Sequence, residues 1–384
     1  MMATSQSPVY QASPRLIRGL GWIAAAGGGV FLAGTMISPE RAWGGYLMGF
    51  TFFVGLALAG PLFLSVLYLS NARWGRPLRR IPEALTSALP VAFVLGLGLI
   101  LGTHALYEWS HDEVVASDPL LAHKAPWLNL IGFSVRIVIY FAIWLWAGRR
   151  VAALSSAGGG EGGQRRSELT TSALFLAALA ITFSLASVDW IQSLDAHWFS
   201  TMFALRTLSG AASSGLAVCI LLLVALRRAN LLRSVVTHDV MDDLGKILLA
   251  LSFFWAYIWY CEYMIIWYSD IPEETIYYLV RRQGAWGTLV PVNLALNFAI
   301  PFLALFPRAW RRNGVILMRI AGLLLVGRVL DLYLMIVPPL GGGETGISAW
   351  EAGPLIGILA LFGLIVARAL SRPGLVPSEA GPAA

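Results

Sequence analysis

The stretch Asp242–Ser269, DDLGKILLALSFFWAYIWYCEYMIIWYS, decides which fold this chain can adopt. As an α-helix, these 28 residues would rise about 42 Å, which exceeds the ~30 Å hydrocarbon core of a lipid bilayer. Every charged residue except Glu262 lies in the first five positions, and the remainder is largely apolar or aromatic. The stretch therefore predicts a transmembrane helix.

Nine other apolar runs of at least 18 residues occur along the chain. We therefore predict an all-α integral membrane protein with ten transmembrane helices, forming one polytopic membrane domain over residues 1–384. The predicted spans are Ile17–Ile37, Trp43–Ser70, Leu85–Tyr107, Trp127–Ala147, Leu169–Ser193, Phe199–Leu226, Asp242–Ser269, Gly284–Phe306, Gly314–Ile336 and Trp350–Leu370.

The overall composition excludes a soluble protein. Hydrophobic residues make up 58% of the 384 positions and charged residues only 12%. A soluble domain has roughly 45–50% apolar and about 25% charged residues. The net charge of +6 and the pI near 9.5 reflect arginines in loops. We therefore expect contact with the lipid bilayer and no nucleic-acid partner.

Cysteine and histidine usage argues against a redox centre within this chain. Only Cys219 and Cys261 are present, both in apolar runs, which gives neither a disulfide framework nor an iron–sulfur ligand set. No C-x-x-C-H haem sequence occurs, and of the five histidines only His104 lies clearly in an apolar run. We therefore predict no metal site and no cofactor held covalently or by metal ligation.

Basic residues predict how the spans are oriented. The N-terminus and alternate loops hold 18 of them, whereas the opposite loops hold only Arg41, Lys124, Arg281 and Arg282. By the positive-inside rule, both termini lie in the cytoplasm. The composition of residues 155–164, SSAGGGEGGQ, predicts a flexible cytoplasmic linker, and the last residues, 373–384, a disordered tail.

Similar segments recur four spans apart. Span four contains YFAIWLWAGRR (Tyr140–Arg150), and span eight contains NFAIPFLALFPRAWRR (Asn297–Arg312). Spans five and nine each carry a late aspartate, Asp189 and Asp331, and spans three and seven a glutamate near the outer end. Because four is even, the copies would share one orientation, which predicts two parallel four-helix bundles. The bundles comprise residues 43–193 (spans two to five) and residues 199–336 (spans six to nine), with one flanking helix at each end.

Charged side chains inside the spans are expensive, at roughly 2.5–3.5 kcal/mol each on insertion scales, so they indicate pairing, hydration or chemistry. Arg328 and Asp331 are three residues apart, which predicts an ion pair on one helix face. Asp189, Arg206 and Glu262 lie at similar depths in their own spans. We expect these five residues to form a polar layer in the extracytoplasmic half of the membrane.

Further polar residues extend this layer. His104 and Glu108 are four residues apart at the outer end of span three and would share one helix face. Asp195 and His197 occupy the tight turn between spans five and six, and Arg136 lies nearer the middle of the membrane.

The cytoplasmic half has a thinner set of polar residues. Asp242, Asp243 and Lys246 begin span seven, where we expect a helix cap and an ion pair at the membrane surface. Asn293 and Asn297 lie one turn apart beside prolines in span eight, which predicts a kinked helix that hydrogen-bonds across the bundle.

The residues leave three explanations of the polar groups open. A quinol headgroup needs a hydrogen-bond acceptor that can take a proton at each hydroxyl, and His104 with Asp189 would supply that chemistry. The candidate quinone-binding residues are His104, Glu108, Asp189 and Arg136. A proton relay would instead use buried carboxylates and their cationic neighbours. The relay residues would be Asp189, Glu262, Arg328, Asp331, Arg206, His197, Asp195, Asp243 and Lys246. The third explanation is interhelical pairing that only fixes the packing.

Two segments resemble a known family. Val188–Thr201 (VDWIQSLDAHWFST) and Asp243–Tyr278 (DLGKILLALSFFWAYIWYCEYMIIWYSDIPEETIYY) resemble the ActF-type membrane subunit of bacterial alternative complex III, a quinol:cytochrome c or direct oxidase oxidoreductase. That subunit belongs to the NrfD-like, or polysulfide-reductase membrane-subunit, family. The resemblance implies a bacterial inner-membrane location and two four-helix bundles. It also implies partners, namely a larger homologous ten-span subunit, a periplasmic iron–sulfur subunit, c-type cytochromes and a terminal oxidase.

The resemblance extends to particular residues. By motif position, Asp189, Asp195, His197 and Glu262 match family residues. It implies a subunit of a respiratory quinol-oxidising complex that conducts protons, with quinone as its only candidate ligand and no redox centre of its own. The alternative function is a stand-alone secondary transporter of a small polar solute, since paired bundles with charges near the midplane also suit that class.

Overall fold

The structure is a computed structural model that describes residues 10–72, 75, 78–156, 163–233, 235–340, 346 and 348–371. Every regular element in these ranges is a helix, which confirms the predicted all-α class. Most of the predicted linker 155–164 and the whole predicted tail 373–384 lie outside the described residues. The two ends of that linker continue the flanking helices, which end at Ser156 and begin at Gly163.

Ten long helices follow one another along the described chain, and each overlaps one predicted span. They are α1 (Pro14–Ile37), α2 (Pro39–Leu69), α3 (Arg80–Leu101), α4 (Leu130–Ser156), α5 (Gly163–Trp190), α6 (Phe203–Arg228), α7 (His238–Ser269), α8 (Trp286–Leu305), α9 (Gly314–Ile336) and α10 (Ala349–Leu370). Within the described ranges, nine of these helices are long and apolar enough to cross a bilayer. The remaining helix, α9, has 23 residues but carries three charged side chains. A tenth span at α9 therefore stays a prediction.

Polar side chains fix the start of several helices. The side chains of Ser13 and Asn313 accept hydrogen bonds from the first free backbone amides of α1 and α9. Thr237 does the same for α7, which begins at His238. The predicted cap at Asp242 is therefore wrong, because that residue lies one turn inside the helix.

The long helices pack in two sets. Helices α2 to α5 contact one another, as do α6 to α9, and the terminal helices α1 and α10 pack together against α2. The backbones of α1 and α10 meet at Gly27 and Gly357, where a side chain on Gly27 would collide with the opposite main chain. Contacts between the sets also occur, from α5 to α6 and from α2 to α9, so the division into two duplicated bundles stays a prediction.

Helices α2 and α6 join the two sets. They are the most deeply buried of the long helices, and they contact each other directly. Small residues allow this approach, because a side chain on Gly215 of α6 would overlap Ala59 of α2 and one on Gly55 would press on Ala211. Close backbone approach through small residues is how membrane helices pack in the absence of a hydrophobic driving force.

The end of span three differs from the prediction. Helix α3 ends at Leu101, a short helix covers Thr103–Leu106, and Tyr107 is extended with φ −122° and ψ 122°. Glu108 begins a separate 3₁₀ turn beyond this break. His104 and Glu108 therefore do not share a face of one helix, and that prediction is wrong.

Replacing Gly215 by valine should destabilise the protein, because the new side chain has no room at the α2–α6 crossing. Overpacking of this kind costs about 1–3 kcal/mol. Thermal unfolding of the purified protein in detergent would show a lower midpoint. Gly322→Val is the matched control, since a side chain there meets open space. Equal midpoints for the two variants would contradict the crossing.

Candidate functional site: two buried charge clusters

The first cluster surrounds Asp189 at the end of α5. Arg136 of α4 forms a bidentate pair with it, with Nε 2.7 Å from Oδ2 and Nη2 3.0 Å from Oδ1. The hydroxyl of Tyr140 donates to Oδ2 at 2.8 Å, and the indole nitrogen of Trp127 donates to Oδ1 at 3.0 Å. Asp189 is only 1% exposed. Both carboxylate oxygens thus hold two donors each, which fills the acceptor capacity of this group.

The second cluster is centred on Arg206 of α6. Its Nη1 lies 2.9 Å from Oε2 of Glu262 on α7, and its Nη2 lies 2.8 Å from Oδ1 of Asp331 on α9. The three side chains are at most 3% exposed. One guanidinium group is therefore shared between two buried carboxylates from different helices.

Further donors complete the second cluster. Asp331 also receives hydrogen bonds from Arg328, one turn earlier on α9, and from Nδ2 of Asn293 on α8 at 3.0 Å. This confirms the ion pair predicted for Arg328 and Asp331. Glu262 receives the hydroxyl of Ser200 at 2.8 Å and that of Tyr278 at 3.3 Å, both from segments outside the long helices.

Glycines create the space that this cluster occupies. A side chain on Gly210 of α6 would overlap the guanidinium group of Arg328. A side chain on Gly327 of α9 would press on the amide of Asn297 at 2.9 Å. The polar groups therefore fill room that a larger residue at either position would take.

Four buried polar atoms around the second cluster have no hydrogen-bond partner among the described residues. They are Nε of Arg206, Nε of Arg328, Oδ1 of Asn297 and Nε1 of Trp255. The guanidinium carbon of Arg328 lies 5.9 Å from the Trp255 ring, so these atoms belong to one region. Buried polar atoms in proteins are generally paired, and ordered water is the usual partner where protein groups are missing. The second cluster therefore differs from the first, whose carboxylate has no free acceptor position.

A break in helix α8 lies beside this region. Residues Ala295–Ala299 form a π-helical turn between two α-helical halves. Within it, the amide of Asn297 donates to the carbonyl and side-chain oxygens of Asn293, and the hydroxyl of Ser252 donates to the carbonyl of Asn297. The prediction of side-chain hydrogen bonds across the bundle is confirmed for Asn293, which donates to Asp331 of α9, whereas the side chain of Asn297 donates only within α8. π-Helical turns are frequent at functional sites, because they widen the helix and expose backbone groups.

The two clusters are built alike. Arg136 precedes Tyr140 of the YFAI segment by four residues, and Asn293 precedes Asn297 of the NFAI segment by the same interval. Arg136 binds the late aspartate of the next helix, and Asn293 does the same. The contacts therefore agree with the four-span offset in the sequence.

Of the four residues considered for a quinol headgroup, Arg136 and Asp189 pair with each other, whereas no contact among the described residues joins His104 or Glu108 to them. His104 and Glu108 are exposed, and the ring of His104 lies against that of His111 with centroids 3.9 Å apart. Asp189 is instead enclosed by Arg136 and its other donors. The break at Tyr107 also separates Glu108 from the helix that carries His104.

Asp195 and His197 lie apart from both clusters. The ring nitrogen Nε2 of His197 is 2.6 Å from Oδ2 of Asp118 in the loop before α4, whereas Asp195 accepts from the backbone amide of Trp198 at 3.3 Å. Desolvation opposes ionisation of Asp118, but hydrogen bonds from two backbone amides and from His197 outweigh it and lower its pKa. These contacts tie together two loops outside the long helices.

A third group of charges lies at the start of α7. Asp242 is 2% exposed, and its Oδ1 accepts from Nε of Arg311 at 2.7 Å. Lys246 lies 3.0 Å from both Asp242 and Asp243, which confirms the ion pair expected there. Of the three acidic and basic residues expected here, the buried carboxylate is Asp242, whereas Asp243 is half-buried and Lys246 is exposed.

The neutral donors were missed by sequence reasoning. Trp127, Tyr140, Ser200 and Tyr278 each donate to a buried carboxylate. Of these four donors, only Tyr140 could have been found from the sequence, because it lies four residues after Arg136 in the same span. In the described ranges, no three His, Cys, Asp or Glu side chains come together as metal ligands would.

Comparisons with known proteins give this site no family. No protein-family model matches the chain, and no curated protein matches it significantly.

Replacing Arg206 by methionine should destabilise the protein strongly, since it leaves the buried carboxylate of Glu262 without its cationic partner and Asp331 with Arg328 alone. Removing one partner of a buried ion pair costs about 3–5 kcal/mol. The measurement is the thermal unfolding midpoint in detergent.

Adding Glu262→Gln to Arg206→Met should restore much of the lost stability, because Asp331 and Arg328 then balance each other. Arg228→Met, which removes an exposed arginine of the same helix, serves as the control. A single Arg206→Met variant as stable as Arg228→Met would contradict the shared pairing.

Proposed function

We propose that this chain is the membrane subunit of a respiratory quinol-oxidising complex and that its second cluster moves protons. The observation that carries the proposal is the sharing of Arg206 between Glu262 and Asp331 beside four unpaired polar atoms. The resemblance of Val188–Thr201 and Asp243–Tyr278 to the ActF-type subunit supplies the kind of complex. In this proposal the chain lies in a bacterial inner membrane with both termini in the cytoplasm.

The charge balance of the second cluster explains how protonation of a carboxylate could move a neighbouring side chain. Two carboxylates and two guanidinium groups sum to zero when all are ionised. A proton added to Glu262 removes one of the two negative charges that hold Arg206, so the guanidinium group shifts towards Asp331. Loss of the proton reverses the shift. Protonation is thereby coupled to a movement of one buried side chain.

Two hydroxyl groups flank the cluster on one side. Glu262 accepts from Ser200 and Tyr278, which belong to segments outside the long helices. Hydroxyl groups both donate and accept hydrogen bonds, so they can pass a proton between a carboxylate and water. We assign this side as the extracytoplasmic exit.

On the other side, polar groups continue towards the start of α7. Asp331 connects through Asn293 and Asn297 to Ser252. Ser252 and Asp242 are ten residues apart on α7, which corresponds to about 15 Å along the helix. In the proposal, water spans this distance, and the group of Asp242, Lys246 and Arg311 receives protons from the cytoplasm.

The first cluster is assigned a different task. Asp189 has no acceptor position left, and no hydrogen bond among the described residues connects it to Arg206 or its partners. Its contacts hold α4 to α5, so we place proton movement in the second cluster. Because Asp189 has no acceptor position left for a quinol hydroxyl, we place quinol oxidation in a partner subunit. The electron carriers would then be the iron–sulfur and cytochrome partners implied by the resemblance.

Glu262→Gln and Asp331→Asn should each lower proton translocation by the assembled complex about tenfold or more, because the amide cannot carry the proton. The measurement is the number of protons moved per electron by the complex in vesicles, with haem content checking assembly. Glu273→Gln, in an exposed segment, is the control. Unchanged turnover and proton stoichiometry in both cluster variants would exclude the relay.

One observation favours a secondary transporter as the second candidate. Transporters bind substrates at broken helices near the midplane, and α8 is interrupted by a π-helical turn beside Asp331. A transporter works alone, whereas the proposed subunit co-purifies with metalloproteins. We expect the chain, tagged and extracted from its native membrane in mild detergent, to carry haem absorbance in the visible spectrum. A pure, colourless protein that catalyses solute uptake in vesicles would favour the transporter.

A further inference from the structure

A large apolar cavity lies where the two sets of helices meet. Its volume is about 900 Å³, and it is bounded by α2, α6, α7 and the segment after α2. The walls carry leucines such as Leu67, Leu216, Leu223 and Leu251. Ligand cavities in proteins typically measure about 300–1,000 Å³, so the space suits a substantial ligand.

The cavity has the depth of one bilayer leaflet. On α6 its lining runs from Ala212 to Leu223. These 11 steps correspond to about 16 Å along the helix, close to half of the ~30 Å hydrocarbon core. A ligand that fills this space therefore resembles a single extended hydrocarbon chain that enters from one side of the membrane.

Polar groups mark the mouth of the cavity. Ser70 and Asn71 line it at the end of α2. On α6 the lining residues Cys219 and Leu223 are four apart, so Arg227 is the next residue on the same face. The guanidinium group of Arg227 reaches only the sulfur of Met241 at 3.8 Å among the described residues, and its Nε is buried without a partner.

A smaller, polar pocket adjoins the mouth. It measures about 30 Å³, and its charged lining residues are Arg79, Arg165 and Glu168, of which the last two form an ion pair at 3.6 Å. The pocket shares Leu67, Asn71 and Gly75 with the apolar cavity, so the two spaces lie on either side of one segment. One net positive charge, from Arg79, therefore lies beside the mouth in addition to Arg227.

We propose that this cavity binds an anionic phospholipid, with an acyl chain between α2, α6 and α7 and the phosphodiester at Arg227. Arginine binds phosphate oxygens through two parallel hydrogen bonds, which would use the nitrogen that lacks a partner. The acyl chain gains packing contacts in the cavity. Its transfer from the bilayer into the cavity contributes little free energy, because the bilayer is as apolar as the cavity. Selectivity therefore comes from the headgroup, and this site is independent of the proton route.

The test uses the full-length protein, stripped of lipid in detergent and titrated with phosphatidylglycerol or phosphatidylcholine under native mass spectrometry. We expect phosphatidylglycerol to bind about tenfold more tightly. Arg227→Gln should remove this preference, whereas Arg228→Gln, which changes the exposed neighbouring arginine, should keep it.

A second pair of variants tests the cavity itself. Ile247 lines the cavity and is 38% exposed, so Ile247→Trp narrows the space without forcing the core apart. It should weaken phosphatidylglycerol binding about tenfold, whereas Ile265→Trp, at a more exposed position of α7, should leave it unchanged. Thermal unfolding confirms that each variant is folded.

Three results would overturn the proposal. They are equal affinity for the two lipids, a phosphatidylglycerol preference that survives Arg227→Gln, and displacement of the lipid by uncharged decylubiquinone at equal concentration. The last result would assign the cavity to an isoprenoid quinone tail. None of these outcomes bears on Glu262 or Asp331, so the proton proposal stands or falls separately.

Discussion

Arg206 lies between Glu262 and Asp331, and most features of the second half of the chain follow from that contact. Three helices supply one side chain each, so none of the three can shift without exposing an unpaired charge to an apolar interior. Arg328 and Asn293 donate the other hydrogen bonds that Asp331 accepts. Gly210 and Gly327 leave room for the side chains of Arg328 and Asn297. The interrupted helix α8 supplies the side-chain amide of Asn293.

The two halves illustrate different uses of buried charge. Around Asp189 every acceptor position is filled, which makes a compact connection between α4 and α5. Around Arg206 four polar atoms lack partners among the described residues. A saturated pair mainly stabilises packing, and this difference is why the proposed proton movement is assigned to the second cluster and not to the first. Similar placement in the sequence therefore does not imply a similar role.

The sequence predicted the helices well, since uninterrupted apolar runs leave few alternatives in a membrane. It also predicted the pair of Arg328 and Asp331, because a spacing of three residues fixes a shared helix face. It failed at His104 and Glu108, since the extended conformation of Tyr107 depends on tertiary contacts. The neutral donors around the carboxylates were also missed, because tryptophan, tyrosine and serine are common in membrane helices for other reasons.

The central claim is that a carboxyl group beside Arg206 takes up and releases a proton during turnover. Infrared difference spectroscopy of the assembled complex, between its oxidised and quinol-reduced states, measures this directly through the carbonyl stretch of protonated carboxyl groups. The account predicts a band of this kind in the wild-type protein that disappears in Glu262→Gln or Asp331→Asn. A spectrum without such a band, or one that both substitutions leave unchanged, would contradict it.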